Sequence, residues 1–402
     1  MQRGKEIRSN FFAGHHVTRY LDSSDKYLFA RDEAKYKLNI IGFGMMGLEH
    51  ALVTMLEGRA DIYGVYDKSE TSVQANVQTF QAMVPDHPLK VYSTLEDACN
   101  DEAVDGLVIC TPNYTHLAVV REAVKSGKHI LLEKPMATTL EDAIEITRLA
   151  KGYSGVFQIG LQYRFKSIYS EAAHEVKVRG AIGEVKTMSI TEHRVPFLDK
   201  VEQWNKFAKY SGGTLVEKCC HYFDLLNFFA EARPKLVYAS GNMAVNFVGF
   251  ARDGEQSDIL DNAMVVVQYE NGIKASFNLC MFAPMFYEEM VLCGDEGRLK
   301  ASENTDFLPD KRPETHLEIL SGEHRPSRIS TPCYPEAIQH SGHHGATYYE
   351  HKYFVDNIDG KSTVTAGVDE GLWSIIVATA ADESIRTGNV VHVDEFLAKY
   401  AM

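Results

Sequence analysis

The stretch Lys37-Leu38-Asn39-Ile40-Ile41-Gly42-Phe43-Gly44-Met45-Met46-Gly47 decides how the rest of the chain is read. Residues 37–43 form an apolar run that reads as a strand, the glycines read as a tight turn, and the apolar spacing of residues 46–57 reads as a helix. In a GxGxxG turn the first glycine permits the bend, the second lets backbone approach a pyrophosphate, and the third allows helix and strand to pack closely. Alone, the pattern is equally a plain strand-to-helix turn. Its setting separates the two readings. A second apolar run over residues 61–66 ends at Asp67, 20 positions beyond Gly47, where the dinucleotide fingerprint needs an acidic group for the ribose hydroxyls. The expectation is a dinucleotide whose pyrophosphate lies at the helix's positive end, held by Gly42, Phe43, Gly44, Met45, Met46 and Gly47. Asp67 would repel a 2′-phosphate and so favours NAD. Lys68 beside it leaves NADP open, and the plainer alternative for Asp67 is a turn or helix cap.

Working outward, strand-like and helix-like runs keep alternating through residues 107–110, 117–125, 130–132 and 143–150. That grammar implies right-handed crossovers and a parallel sheet. From residue 182 it changes. Residues 185–191, 236–240, 264–269, 273–279 and 290–293 are strand-like with few helices between them, which predicts a mostly antiparallel sheet. Glu270-Asn271-Gly272 joins two of these runs as a hairpin turn with positive φ expected at Asn271 and Gly272. A closing helical stretch, residues 346–359 and 368–386, is expected to pack back on the first domain or to cap the sheet. The predicted fold is α/β, an N-terminal Rossmann doubly wound parallel sheet followed by an α+β domain with an open, mostly antiparallel sheet. Residues 1–36 read as an extension or arm, 37–164 as the NAD(P)-binding domain, and 165–402 as the substrate-binding and oligomerisation domain.

Composition restricts the function classes. With 45% hydrophobic and 24% charged residues over 402 positions, the chain has the mix of an ordinary soluble protein. It contains no apolar run of the ~20 residues that span a bilayer. A net charge of −14 argues against nucleic acid, whose binding needs a basic surface. The seven cysteines fall at 99, 110, 219, 220, 280, 293 and 333, with no CxxC pair, and read mainly as reduced, buried small hydrophobes. The leader lacks the continuous apolar core of a secretory signal, so the cytoplasm is expected. Its Phe11-Phe12 and Tyr27-Leu28-Phe29 clusters are expected to pack on a partner or on the subunit's own surface.

Two further segments carry a resemblance. Cys110-Thr111-Pro112-Asn113-Tyr114-Thr115-His116 and Lys128-His129-Ile130-Leu131-Leu132-Glu133-Lys134-Pro135 resemble segments of the glucose-fructose oxidoreductase / inositol dehydrogenase / rhizopine catabolism (Gfo/Idh/MocA) family. With the glycine loop, the resemblance covers about residues 37–300. It implies a homo-oligomer, dimer or tetramer, whose open sheet carries the substrate pocket. It sets Thr111, Pro112, Asn113, Tyr114, His116, Glu133 and Lys134 with the cofactor, Asn113 and Tyr114 over the nicotinamide ribose; His116 reads also as the opening of the next helix. The family's lysine at position 134 orients the substrate hydroxyl. A lysine at the carboxyl end of a sheet strand lies where open α/β folds bind ligands, although pairing with Glu133 is the bland alternative.

Ser211-Gly212-Gly213-Thr214-Leu215-Val216-Glu217-Lys218-Cys219-Cys220-His221-Tyr222-Phe223-Asp224 resembles the family's proton-transfer helix. Helical spacing would put Glu217, His221 and Asp224 on one face. Imidazole titrates near neutrality and suits removal of a hydroxyl proton, so His221 is the expected acid/base residue, assisted by Lys134, with Glu217 beside it. Aspartate is usual where Glu217 stands, and a small residue where Cys219 stands. Asp224 is expected to orient His221 or bind a sugar hydroxyl. Arg164 reads either as a substrate ligand or as half of an interdomain ion pair, and of His343 and His344 one, His344, as a substrate contact. Cys219, Cys220, His221 and Glu217 make a poor metal cluster, because adjacent helical cysteines diverge by about 100°; no metal is expected. The function implied is an NAD(P)-dependent dehydrogenase of a secondary alcohol on a sugar, an inositol or a sugar derivative. Two alternatives stay open: an NAD-dependent glycoside hydrolase acting by transient C3 oxidation, and a non-catalytic NAD-binding regulatory protein.

Overall fold

A computed structural model describes residues 34–196, 199–305, 313–361 and 366–400; the predicted arm with its Phe11-Phe12 and Tyr27-Leu28-Phe29 clusters lies outside them. In chain order the elements are β1 (Tyr36–Ile41), α1 (Met45–Glu57), β2 (Ala60–Tyr66), α2 (Glu70–Met83), β3 (Lys90–Val91), α3 (Leu95–Asn100), β4 (Gly106–Ile109), α4 (His116–Ala123), β5 (His129–Glu133), α5 (Leu140–Ala150) and β6 (Phe157–Gly160). Then come α6 (Ser167–Ala173), β7 (Val185–His193), α7 (Ala208–Ser211), α8 (Thr214–Glu217), α9 (Cys220–Ala230), β8 (Pro234–Asn242), β9 (Ala251–Arg252), β10 (Glu255–Gln256), β11 (Asn262–Tyr269) and β12 (Lys274–Cys280). The chain closes with β13 (Phe286–Gly294), β14 (Gly297–Thr305), β15 (Glu314–Ser321), β16 (Arg328–Ser330), α10 (Glu336–Gln339), α11 (Ala346–Ile358), α12 (Val368–Thr387), β17 (Val391–His392) and α13 (Val393–Ala398).

These elements gather into two discontinuous units. The first comprises Met1–Glu133, Arg148–Gly160 and Tyr334–Gly367. Its sheet is parallel, in the order β3-β2-β1-β4-β5-β6, the doubly wound order of a Rossmann fold. Buried parallel strands should be apolar throughout, and Leu107, Val108 and Ile109 on β4 and Ile130, Leu131 and Leu132 on β5 are all fully buried. The helices start and stop on local signals. Gly58 ends α1 in the left-handed region at φ 85°, while Ser69 and Thr94 cap α2 and α3 through their side-chain oxygens. The late helix α11 also belongs here, and its Phe354 and Val355 join Leu38, Ile40 and Val108 in one core.

The second unit comprises Lys134–Thr147, Leu161–Cys333 and Val368–Met402. Its nine-stranded sheet runs β16-β15-β14-β13-β7-β12-β11-β8-β17, and only the β7–β12 pair is parallel. Burial alternates along its strands; on β11, Ala263, Val265 and Val267 are buried and Met264 and Val266 exposed. α9 lays Tyr222 and Phe223 on Phe277 of β12, at ring-centroid distances of 4.9 and 5.5 Å. The expected hairpin joins β11 to β12, with one correction: of Asn271 and Gly272 only Gly272 takes a positive φ, 89°. Asn271 instead accepts from the Ile273 N–H at 3.2 Å and donates to the Ala230 carbonyl at 2.9 Å. One left-handed glycine after a type I turn is the longer hairpin loop, which needs a single positive φ.

A buried ion cluster lies in this unit. Lys166 Nζ donates to Glu288 Oε2 at 2.6 Å and to Glu303 Oε1 at 2.7 Å, and Tyr222 OH donates to Glu288 Oε1 at 2.8 Å. Removing one member of such a cluster strands the others in a dry core. Lys166→Met should therefore lower unfolding free energy by about 3–5 kcal/mol, read as a shift of the urea midpoint at pH 7; a shift corresponding to less than ~1 kcal/mol would mean the cluster is solvated.

Candidate active site

In the first unit each glycine of the opening loop meets its own steric demand. A Cβ on Gly42 (φ 95°) would lie 2.6 Å from the Thr111 backbone nitrogen, and one on Gly47 would lie 2.1 Å from the Gly42 carbonyl oxygen. Gly44, by contrast, faces open space, with nothing within 4 Å of its Cβ position. The bend, the tight helix-strand contact and the open approach are the three roles the pyrophosphate turn requires, and α1 begins directly at Met45 with Gly44 as its N-cap. Met45 is exposed beside the opening, whereas Phe43 is buried and its carbonyl accepts from Asn76 Nδ2 at 2.7 Å. At the end of β2, Asp67 Oδ1 accepts the Ser69 N–H at 2.8 Å, and Lys68 is exposed. After β4, Thr111 Oγ1 and Asn113 Nδ2 are buried with no hydrogen-bond partner. Pro112 accepts from Thr115 Oγ1, Tyr114 is exposed, and His116 opens α4 with Nε2 3.0 Å from the Thr111 carbonyl. An open glycine, orphaned polar atoms and a helix N-terminus fit a dinucleotide.

In the second unit Lys134 follows directly on β5, its bond to Pro135 cis, and Nζ donates to the Glu217 carbonyl at 3.2 Å. The predicted continuous helix is broken: α8 ends at Glu217 and α9 begins at Cys220. The one-face spacing of Glu217 and His221 therefore does not run through unbroken helix. Glu217 is buried with Oε2 unpartnered, and Lys200 Nζ stands 4.0 Å from Oε1. Burial raises the Glu217 carboxyl above its ordinary range against the opposing pull of Lys200, Lys134, Arg194 and Lys218. His221 is buried and stacks on Tyr163, ring centroids 4.0 Å apart and 11° from parallel. Tyr163 OH accepts from Lys218 Nζ at 2.6 Å, and Glu192 Oε1 is 3.3 Å from the same ammonium. Burial still pushes Lys218 down to about 8. Cys219 and Cys220 are core residues, and burial raises both thiols.

A model of the oxidoreductase family's NAD-binding Rossmann fold matches residues 36–161, and a model of its C-terminal alpha/beta domain matches residues 177–393. The chain belongs to the Gfo/Idh/MocA oxidoreductase family. Residues 36–161 are the family's NAD-binding domain, whereas Tyr334–Gly367 of the first unit fall in the stretch matched by the C-terminal model. The chain is 22% identical over 370 residues to myo-inositol 2-dehydrogenase of Thermotoga maritima, spanning 90% of this chain and 99% of that one. It is 25% identical over 370 residues to scyllo-inositol 2-dehydrogenase (NAD(+)) of Bacillus subtilis, spanning 90% and 97%. Among solved structures, levoglucosan dehydrogenase in complex with NADH and levoglucosan superposes with a TM-score of 0.74 at 19% identity, covering 89% of this chain and 99% of that chain.

Within this family frame the remaining predicted residues fall as follows. Arg164 and Asp224 meet each other in the second unit through two bonds of 2.6 Å, a buried bidentate pair, so Asp224's carboxylate is committed to Arg164. His343 and His344 lie in the first unit on left-handed backbone, φ 48° and 55°, where His343 Nδ1 is 2.7 Å from Glu49 Oε1. Glu133 is buried with Oε1 2.8 Å from His50 Nε2. Sequence reasoning passed over His50, Tyr163, Glu192, Lys200 and Lys218. A histidine on the apolar face of α1 was the available signal for His50; no spacing marks the others.

Two measurements follow from this geometry. Gly47→Ala should abolish NAD binding by fluorescence titration, because its methyl would meet the Gly42 carbonyl; Kd within a factor of three of wild type would mean that α1 moves freely. Lys218 is depressed to about 8 from 10.5, so between those pH values the unfolded chain holds the extra proton and stability rises with pH. Wild-type denaturation midpoints should climb over that interval, and Lys218→Met should flatten the climb.

Proposed function

We propose that this protein is an NAD-dependent dehydrogenase of a secondary alcohol on a sugar, an inositol or a sugar derivative. The observation that carries the reading is the second unit's buried Glu217, whose Oε2 lacks a hydrogen-bond partner while its carbonyl holds Lys134 Nζ at 3.2 Å. A buried carboxylate oxygen without a donor calls for one, and a substrate hydroxyl supplies it. His221 takes the proton of the reacting hydroxyl as general base, its ring plane set by Tyr163. Lys134 donates to the same oxygen and stabilises its developing charge. NAD held at the glycine loop would supply the hydride acceptor. The cofactor side of the proposal draws on Gly42, Gly44, Gly47, Thr111, Asn113 and Asp67, whose second carboxylate oxygen takes the ribose hydroxyls and disfavours a 2′-phosphate.

The reaction belongs in the cytoplasm on this reading, in keeping with seven cysteines that form no disulfide and with the lack, among the described residues, of a helix long and apolar enough to cross a membrane. The proposal includes a homo-oligomer. Met264 and Val266 on β11 and Tyr238 on β8 leave apolar side chains on the solvent side of the sheet, the kind of surface a second copy covers.

NADH formation should accompany oxidation of free polyols or sugars, with NADP the poorer cofactor. His221→Ala and Lys134→Met should each lower kcat by about 10²-fold or more and leave the NAD Kd nearly unchanged. Glu217→Gln should raise KM more than it lowers kcat. Full activity in the His221 variant would remove the assigned base, and glycoside cleavage without net NADH would move the chemistry to transient oxidation.

A further inference from the structure

The first unit holds a buried polar cluster that hydride transfer does not use. It joins α1 (His50, Thr54), the end of β5 (Glu133) and α11 (Glu350, His351), and His50, Thr54, Glu350 and His351 are each at most 1% exposed. Thr54 Oγ1 donates to the His50 carbonyl at 2.8 Å, so its oxygen is left to accept, and His351 Nδ1 lies 3.2 Å away. His351 Nδ1 therefore carries a hydrogen. The other nitrogens of the two rings, His351 Nε2 and His50 Nδ1, meet across 2.7 Å. On its far side His50 presents Nε2 to Glu133 Oε1 at 2.8 Å.

Beside this pair stands Glu350. Its carboxylate is fully buried and both oxygens lack a hydrogen-bond partner. One ligand atom from each of His50, Glu133 and Glu350 lies within 4.8 Å of the other two. A divalent cation would balance two buried carboxylates and give Glu350 the partner it lacks, with His50 Nε2 as the third ligand. We propose that His50, Glu133 and Glu350 form a structural site for a divalent transition-metal ion, with zinc the best match to one imidazole and two carboxylates. A tetrahedral ion with bonds of ~2.0–2.2 Å holds its ligand atoms roughly 3.3–3.6 Å apart, so it would part Glu133 Oε1 from His50 Nε2, now 2.8 Å apart, and take the Glu350 carboxylate, within 4.8 Å, at the same point. His351 then acts as the outer partner that fixes the tautomer and ring plane of His50, as metal-bound histidines require. The ion would clamp α11, late in the chain, to α1 and β5 inside the Rossmann unit.

The full-length protein, purified without added metal or chelator, is assayed for bound metal, stripped with chelator, and titrated with zinc and separately with cobalt. About one zinc per chain is expected, with Tm falling on stripping and recovering on zinc addition. Cobalt should give visible d–d absorption without the near-ultraviolet charge-transfer band of thiolate ligation, which separates this site from the seven free cysteines. Glu350→Gln, nearly isosteric, should lower zinc stoichiometry at least ~10-fold and make Tm indifferent to zinc. Metal-free protein whose Tm moves with neither chelator nor zinc overturns the proposal, and a Glu350→Gln variant of raised Tm would then identify Glu350 as a buried protonated acid. The wild-type cobalt spectrum stands even if that variant does not fold, and a spectrum with thiolate bands overturns the site as well.

Discussion

The missing side chain of Gly47 governs the first unit. A Cβ there would come within 2.1 Å of the Gly42 carbonyl oxygen, so α1 approaches β1 this closely only because hydrogen stands at that position. The contact fixes where α1 starts and therefore where its unpaired N–H groups point, the geometry that a pyrophosphate cradle requires. It also fixes the helix's phase. His50, one turn further on, is held against Glu133 at the carboxyl end of β5, and Thr54, a turn beyond that, against His351 of α11. One close backbone contact thus orders both the cofactor loop and the polar cluster behind it.

The second unit is organised by a different constraint, the burial of charge. Lys166 lies between Glu288 and Glu303, Arg164 grips Asp224 through two bonds, and Lys218 sits against Glu192 and Tyr163. Each group is expensive to bury alone and tolerable when paired. Such pairing lowers the freedom of the side chains around His221, whose ring is stacked on Tyr163. Glu217 and Glu192 each keep a buried Oε2 without a hydrogen-bond partner, and burial raises the Glu217 carboxyl. A buried carboxylate oxygen left in this state is where a ligand is expected.

Much of this was legible along the chain because it rests on local rules. Alternation of apolar runs with helical spacing gave the parallel sheet, and strand-like runs with few helices between them gave the antiparallel one. The hairpin at Gly272 was visible as Asn-Gly, although a longer loop left Asn271 at ordinary φ. The segment proposed for proton transfer was legible as a motif but not as a shape. Helical periodicity extrapolates through residues 214–224, and nothing in the local sequence announces the break at Lys218 and Cys219.

The sequence by itself determined the parallel sheet and the glycine turn between β1 and α1, since these follow from spacings within or next to single elements; Lys134, Glu217 and His221 were marked by a family resemblance. Only the tertiary structure decided which charges neutralise one another. Arg164 and Asp224 are 60 residues apart, and Lys166 and Glu303 are 137 apart. More distant still are His50 and His351, 301 residues apart and joined at 2.7 Å. Hydrogen bonds and ion pairs act over a few ångströms of space, and no separation along the chain encodes them until the sheets have set the distances.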